Sequence, residues 1–329
     1  MDSLTEKCLS YIDSSDTLVI VDVSNYLYRC AWANRSYYYR GVFKGHIEGF
    51  LEFIVYLMKK FKGARVVLAL DGKDSSRRRI NENYKKNRSL TEETKEVHDI
   101  VHGSFSDVVV LSGLINNVFG CYDKDYEADD VFGSIVSYYN DTYKGRKNIY
   151  ICTNDKDMYQ LVSTEGNIKT RVARGIGTYD QMSGNLNIVT EKEVAERFNG
   201  VHPKDLLKFR AIVGDSSDNI KGYHRFLKRY ASEIACNVDY IQKDHIFRVK
   251  EGHALDKRAE AKCRDVILKD FDIFESNYEI MRLRTFNFKI SPICSKQFHK
   301  GKEEIKELIN KYDLHSFYSY IKCNKLSSV

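Results

Sequence analysis

The chain has 329 residues, 43% of them hydrophobic and 30% charged, with a formal net charge of +6. This composition excludes wholesale disorder, and the length suits one large domain or one domain with a smaller companion. No run approaches the roughly 20 apolar residues of a membrane span, and Met1 to Asp16 lacks the apolar stretch of a signal peptide. The eight cysteines, among them Cys121 and Cys152 at apolar runs, form no CxxC pair; this argues against a zinc site or disulfide framework and for a reducing cytoplasm, or the host cytoplasm for a viral source.

In chain order, Leu18-Val19-Ile20-Val21 reads as a buried strand ending on Asp22. From Ile47 to Phe61 the apolar residues recur at helical spacing. Arg65 to Leu70 reads as a second buried strand, ending on Asp71, and the crossover between the two is long enough for a parallel pair. Basic residues then cluster at Arg77, Arg78, Arg79, Lys85, Lys86 and Arg88. Val108 to Leu111 fits either a strand or a helix, and Val118 to Tyr122 reads as a strand. Asp123 to Asp130 is acid-rich, Val131 to Tyr143 is helical, and Asn148 to Cys152 is a strand followed by Asp155 and Asp157. Glu191 to Phe198 and Leu206 to Val213 read as helices, and the chain beyond Asp218 is mainly helical. Alternating strands and helices predict an α/β fold, with a mostly parallel central sheet flanked by helices. The sheet pattern stops near Val189, which divides the chain into 1–189 and a mainly helical 190–329.

The acids carry the chemistry. Asp22, Asp71, the Tyr-Glu-Ala-Asp-Asp stretch with Glu127, Asp129 and Asp130, and Asp155 with Asp157 all follow apolar strands or open helices. One Asp after a strand is ordinarily a turn residue or a helix cap. Four such elements in one parallel sheet bring carboxylates together where such sheets bind ligands, at the strand C-terminal ends. Their mutual repulsion is relieved by hard divalent cations, Mg²⁺ or Mn²⁺, since no His or Cys accompanies them. Further on, Gly214-Asp215-Ser216-Ser217-Asp218-Asn219-Ile220 holds two acids three apart, which one helical turn would place on the same face.

From Leu18 to Ile220 these motifs, in this order, resemble the 5′ nuclease superfamily: flap endonucleases, the 5′ nuclease domain of bacterial polymerase I, and phage 5′ exonucleases including the T-even phage RNase H. The resemblance rests on Val21-Asp22-Val23-Ser24-Asn25, Leu70-Asp71-Gly72, Arg77-Arg78-Arg79 with Tyr84-Lys85-Lys86-Asn87-Arg88, the Tyr126 to Asp130 stretch, Asn154-Asp155-Lys156-Asp157 and the Gly214 to Ile220 stretch. It implies a structure-specific 5′ nuclease acting on DNA or RNA–DNA hybrids, with two Mg²⁺ or Mn²⁺ ions. Asp22, Asp71, Glu127, Asp129 and Asp130 would surround one ion, directly or through water; Asp155, Asp157, Asp215 and Asp218 would hold a second or orient the first group. A helical arch over about 77–116 would place Tyr84, Lys85 and Arg88 near the scissile phosphate, with Tyr84 stacking on a base and Arg77, Arg78, Arg79 and Lys86 gripping nucleic acid. The resemblance departs after Ile220, where Gly222 alone remains of a glycine-rich turn. The T-even phage RNase H is similar in this departure. Lys221, Arg225, Lys228 and Arg229 could still meet phosphates or form a charged helix face. A monomer, working with replication proteins and away from membranes, is expected. A PIN-type RNase shares the acidic design but does not need the basic segment or the Gly214 to Ile220 stretch. A non-catalytic nucleic-acid-binding replication protein would have lost some of the acids.

Overall fold

A computed structural model describes residues 2–72, 76–86, 91–175, 186–242, 246–293 and 301–327. Its centre is a seven-stranded sheet. In chain order the strands are β1 (Thr17–Asp22), β2 (Arg65–Leu70), β3 (Val118–Tyr122), β4 (Lys147–Cys152), β5 (Ile168–Gly175), β6 (Leu186–Val189) and β7 (Ile290–Pro292). Across the sheet they run β7-β3-β2-β1-β4-β5-β6. The strands from β3 to β5 are parallel, and the two edge strands are antiparallel to their neighbours.

Alternation along the strands builds a core on each face. Leu18 and Ile20 point to one side, Val19 and Val21 to the other. The first face is covered by α1 (Ser3–Asp13), α6 (Ala128–Asp141), α8 (Pro203–Val213), α9 (Lys228–Asn237) and α11 (Phe271–Met281). The other is covered by α2 (Val23–Ala33), α3 (Gly45–Lys60), α5 (Glu92–Ser112), α12 (Lys302–Lys311) and α13 (His315–Cys323). Short helices α4 (Ser76–Ile80), α7 (Glu191–Arg197) and α10 (Lys257–Lys262) complete the described set. Burial on both faces explains why the strands read as continuous apolar runs.

The structure resolves the ambiguous Val108 to Leu111 stretch as helix. It is the end of α5, with all four residues buried. The last part of the expected arch, 108–115, is therefore core. The helical layer beyond 189 is not self-contained either. After α11 the chain returns to the sheet, where Ile290 to Pro292 pairs with β3; three residues are too few to show a strand period in sequence. Cys8, Cys30, Cys121, Cys152 and Cys263 are buried. No helix among the described residues is long and apolar enough to cross a membrane.

Candidate metal centre

The chain runs outward from β1 through β2 to β3 and then crosses back to lay β4 on the other side of β1, so the sheet order reverses there. The C-terminal end of β1 is a topological switch point, where α/β sheets open a crevice. Asp22 ends β1 there and, with no intervening loop, caps α2: one oxygen accepts from Asn25 N at 3.0 Å and the other from Thr153 Oγ1 at 2.8 Å. Asp71 follows β2 directly. Its oxygens accept from Ser24 Oγ at 2.5 Å and from Ala128 N at 2.9 Å, which ties it to α2 and to the start of α6. Gly72 has to be glycine, because a Cβ would sit 2.1 Å from Asp123 O; the contact lets Gly72 N donate to Tyr126 O at 2.8 Å.

The electrostatics record how closely the acids gather. Burial pushes the Asp22 carboxyl up to about 7, helped by Asp71 and Asp155. Burial likewise raises Asp129 well above the usual carboxylate range, with Asp155, Glu127 and Asp22 adding and Lys85 opposing. Asp157 is pushed up to about 7 by burial and by Asp155, Asp215 and Asp218, against the pull of Arg210. Asp155 Oδ1 accepts from Asp157 N at 2.8 Å in the turn after β4. Asp215 is also partly buried, but Ser217 and Arg210 more than offset this and hold it below its ordinary value. Asp218 is buried. Asp215 caps a single 3-10 turn, Ser216–Asp218, so the two acids share a turn without a longer helix. Gly214 (φ +79°) and Gly222 form the neck of this loop: a Cβ on Gly214 would lie 2.3 Å from Gly222 N.

Three side-chain cations answer these acids. Arg77 is 3% exposed and forms a two-pronged pair with the fully buried Asp130, at 2.9 and 2.7 Å. It also reaches Glu127 Oε2 at 3.2 Å and donates Nε to Ile280 O at 3.0 Å. Lys85 Nζ lies 3.2 Å from the same Glu127 oxygen. Burial works against the Lys85 ammonium, but Glu127, Tyr84 and Asp129 outweigh it and raise its pKa. The loop at 215–219 holds Lys85 from behind, because Lys85 N donates to Asp218 O at 2.9 Å and Asn219 Nδ2 to Asn83 O at 2.8 Å.

Three expectations need correction. Arg77 faces inward to Asp130, not outward to nucleic acid. Asp130 is occupied by Arg77 and by Arg284 N at 2.9 Å, so it supports the site from beneath rather than lining it. Tyr84 is buried against Ile220, Ile280 and Met281, so its ring is not open to a base. Arg78, Arg79, Lys86, Lys221, Arg225, Lys228 and Arg229 are exposed. Arg88 lies outside the described residues. The sequence reading missed Ser24, Thr153 and Arg210. Arg210 did leave a signal, a single cation inside the apolar Phe209-Arg210-Ala211-Ile212-Val213 run just before Gly214-Asp215.

Clustered carboxylates at the strand ends of an α/β sheet, with a lysine docked beside them, define the class of acidic α/β phosphodiester hydrolases. A family model described as "5′-3′ exonuclease, N-terminal resolvase-like domain" matches residues 17–199, more than half of the chain. The chain belongs to this family and is a 5′ nuclease. It is 28% identical over 309 residues to a 5′-3′ exonuclease of Mycoplasmopsis pulmonis (strain UAB CTIP), covering 91% of each chain. Its fold is similar to that of the bacteriophage T5 D15 flap endonuclease in a complex with DNA and metal ions, at 16% identity and a TM-score of 0.59, covering 90% of this chain and 99% of that one. It is also similar to human GEN1 bound to Holliday junction DNA, at 12% identity and a TM-score of 0.52, covering 93% and 68%.

Proposed function

We propose that the chain is a divalent-metal-dependent, structure-specific 5′ nuclease that removes flaps or 5′-terminal nucleotides from DNA and RNA–DNA hybrids in the cytoplasm. The observation that carries this reading is the gathering of Asp22, Asp71, Asp129 and Asp155 at the β1 switch point, with Lys85 fixed beside them. The donors fit a hard cation. They are oxygens only, and burial with mutual repulsion raises the pKa values of two of them. Among the described residues no three such groups stand close enough to ligate one ion as they are; Arg77, Lys85 and Arg210 hold part of the set. Asp22, Asp71, Asp129 and Asp155 would take one Mg²⁺ or Mn²⁺, and Asp157, Asp215 and Asp218 a second. Bound there, such ions supply an activated water and neutralise charge developing on phosphate.

The chain's own groups orient the rest. Glu127 and the backbone of Asp218 fix Lys85, which keeps its proton and presents a positive charge where a phosphate meets the acids. The buried Arg77–Asp130 pair anchors α4 to α6, so the segment bearing Lys85 is set against the site. Exposed Arg225, Lys228 and Arg229 can hold a duplex behind the cleavage point. The test is to incubate end-labelled flap, nicked duplex and RNA–DNA hybrid with the protein, in Mg²⁺ or in EDTA, and map the products. Cleavage from the 5′ end in Mg²⁺ alone is expected, and undiminished cleavage in EDTA refutes the metal reading.

A further inference from the structure

Arg210 stands where the second group of carboxylates needs positive charge. It projects from the last turn of α8, with Nη2 2.6 Å from Asp157 Oδ1 and also paired with Asp215 Oδ2. The fit is imperfect. Asp157 Oδ1 and Arg210 Nε are both buried, and neither takes part in a well-aligned hydrogen bond. A guanidinium in a dry site gains net stability only when its geometry is good and its donors are satisfied. Beside it opens a cavity of about 610 Å³, lined by Lys156, Arg197, Phe198 and Lys228 among others, which gives the side chain somewhere to go.

We propose that Arg210 is an internal counter-ion that competes with a divalent cation for Asp157 and Asp215. The inference rests on the metal reading above. The guanidinium takes one oxygen of each carboxylate and repels a cation approaching the same pair, so it holds the pair together while no ion is bound and turns toward the cavity when one arrives. The second ion is therefore weak by construction, because its binding includes the cost of displacing Arg210. Both contacts come from the one nitrogen, Nη2, so lysine in this place would keep the charge and a single bridging donor, but on a shorter stem and without the guanidinium's reach.

The experiment titrates Mn²⁺ into the metal-free full chain without nucleic acid and follows free Mn²⁺ by electron paramagnetic resonance. The wild type is expected to bind one ion tightly and a second weakly. Arg210→Met is expected to tighten the weaker ion by about tenfold or more, a modest coupling free energy for groups in contact. Arg210→Lys, which keeps the charge on a shorter side chain, is expected to tighten it by a smaller factor. Equal weak-site affinities in all three proteins overturn the proposal and leave the metal reading standing. Tightening in Arg210→Met with none in Arg210→Lys also overturns it, since net charge alone would then explain the effect. No bound Mn²⁺ in any of them overturns both. Should Arg210→Met fail to fold, the comparison of Arg210→Lys with wild type decides the matter.

Discussion

Arg77→Met separates an inward-facing arginine from a phosphate-gripping one. The substitution keeps most of the side-chain length and removes the charge, leaving Asp130 fully buried with Arg284 N as its remaining described hydrogen-bond donor. Breaking a buried pair in this way costs about 3–5 kcal/mol, because the orphaned charge stays out of water. Unfolding entropy of roughly 2 cal/mol/K per residue gives about 0.7 kcal/mol/K for a chain of this length, so Tm should fall by about 4–7 °C. Circular dichroism melts in the presence of Mg²⁺ measure this. The double variant Arg77→Met/Asp130→Asn should recover part of the loss, since the pair acts as one unit. Duplex affinity measured against salt should keep its wild-type slope. A Tm within 1 °C of wild type, with a salt slope shallower by about one counterion, would show that Arg77 works on phosphate and that the inward geometry is wrong.

Asp155→Asn should abolish cleavage while sparing DNA binding, as gel shift and product analysis in Mg²⁺ would show; full activity at low Mg²⁺ sinks its assignment. Lys85→Ala should lower single-turnover rate by about 10²–10³-fold with affinity nearly unchanged, and an equal loss in both would misplace the scissile phosphate. Asp22, with its folded pKa raised from 3.8 to about 7, binds its proton more tightly folded than unfolded. Its contribution to stability is full below about pH 4 and lost as pH rises to about 7, so metal-free protein should melt lower at pH 7 than at pH 5 by up to about 3 kcal/mol from this group. Asp22→Asn should flatten that slope in EDTA, and an unchanged slope refutes the burial argument. Reversing Arg225, Lys228 and Arg229 together should weaken duplex binding and reduce its salt slope by up to about three counterions; wild-type values would leave this face to a protein partner.

The main lines of the site were legible because Asp22 and Asp71 end apolar runs and the other acids open helices or follow a strand within a few residues. A β-branched stretch halted by Asp22 or Asp71 states both strand and strand end, and the side-chain period is short enough to read locally. Helix α2 was missed for the same economy: Asp22 closes β1 and caps α2 at once, so no turn residue separates them. What stayed hidden depends on partners far along the chain. Arg77, Arg78 and Arg79 are identical letters, and Asp130, Glu127 and the Ile280 carbonyl hold the first of them inward. Tyr84 is a stacking platform by residue type, but Ile220, Ile280 and Met281, all distant in the chain, cover its ring. Arg210 takes its meaning from Asp157, on a different element.

The end of α11 gives the site an order of assembly. Every candidate carboxylate lies before residue 219, yet the carbonyls of Ile280 and Met281 receive Arg77 Nε and Gln160 Nε2, and Arg284 N steadies Asp130. The base of the basic segment and the Asp157 turn are thus fastened by chain made long after the acids themselves. During synthesis the nascent protein carries all of its acids while the clasp that aligns them is still missing. A fragment ending near Ile220 would therefore hold every candidate carboxylate without the contacts from Ile280, Met281 and Arg284, or the strand pairing with β3, that brace them in the full fold.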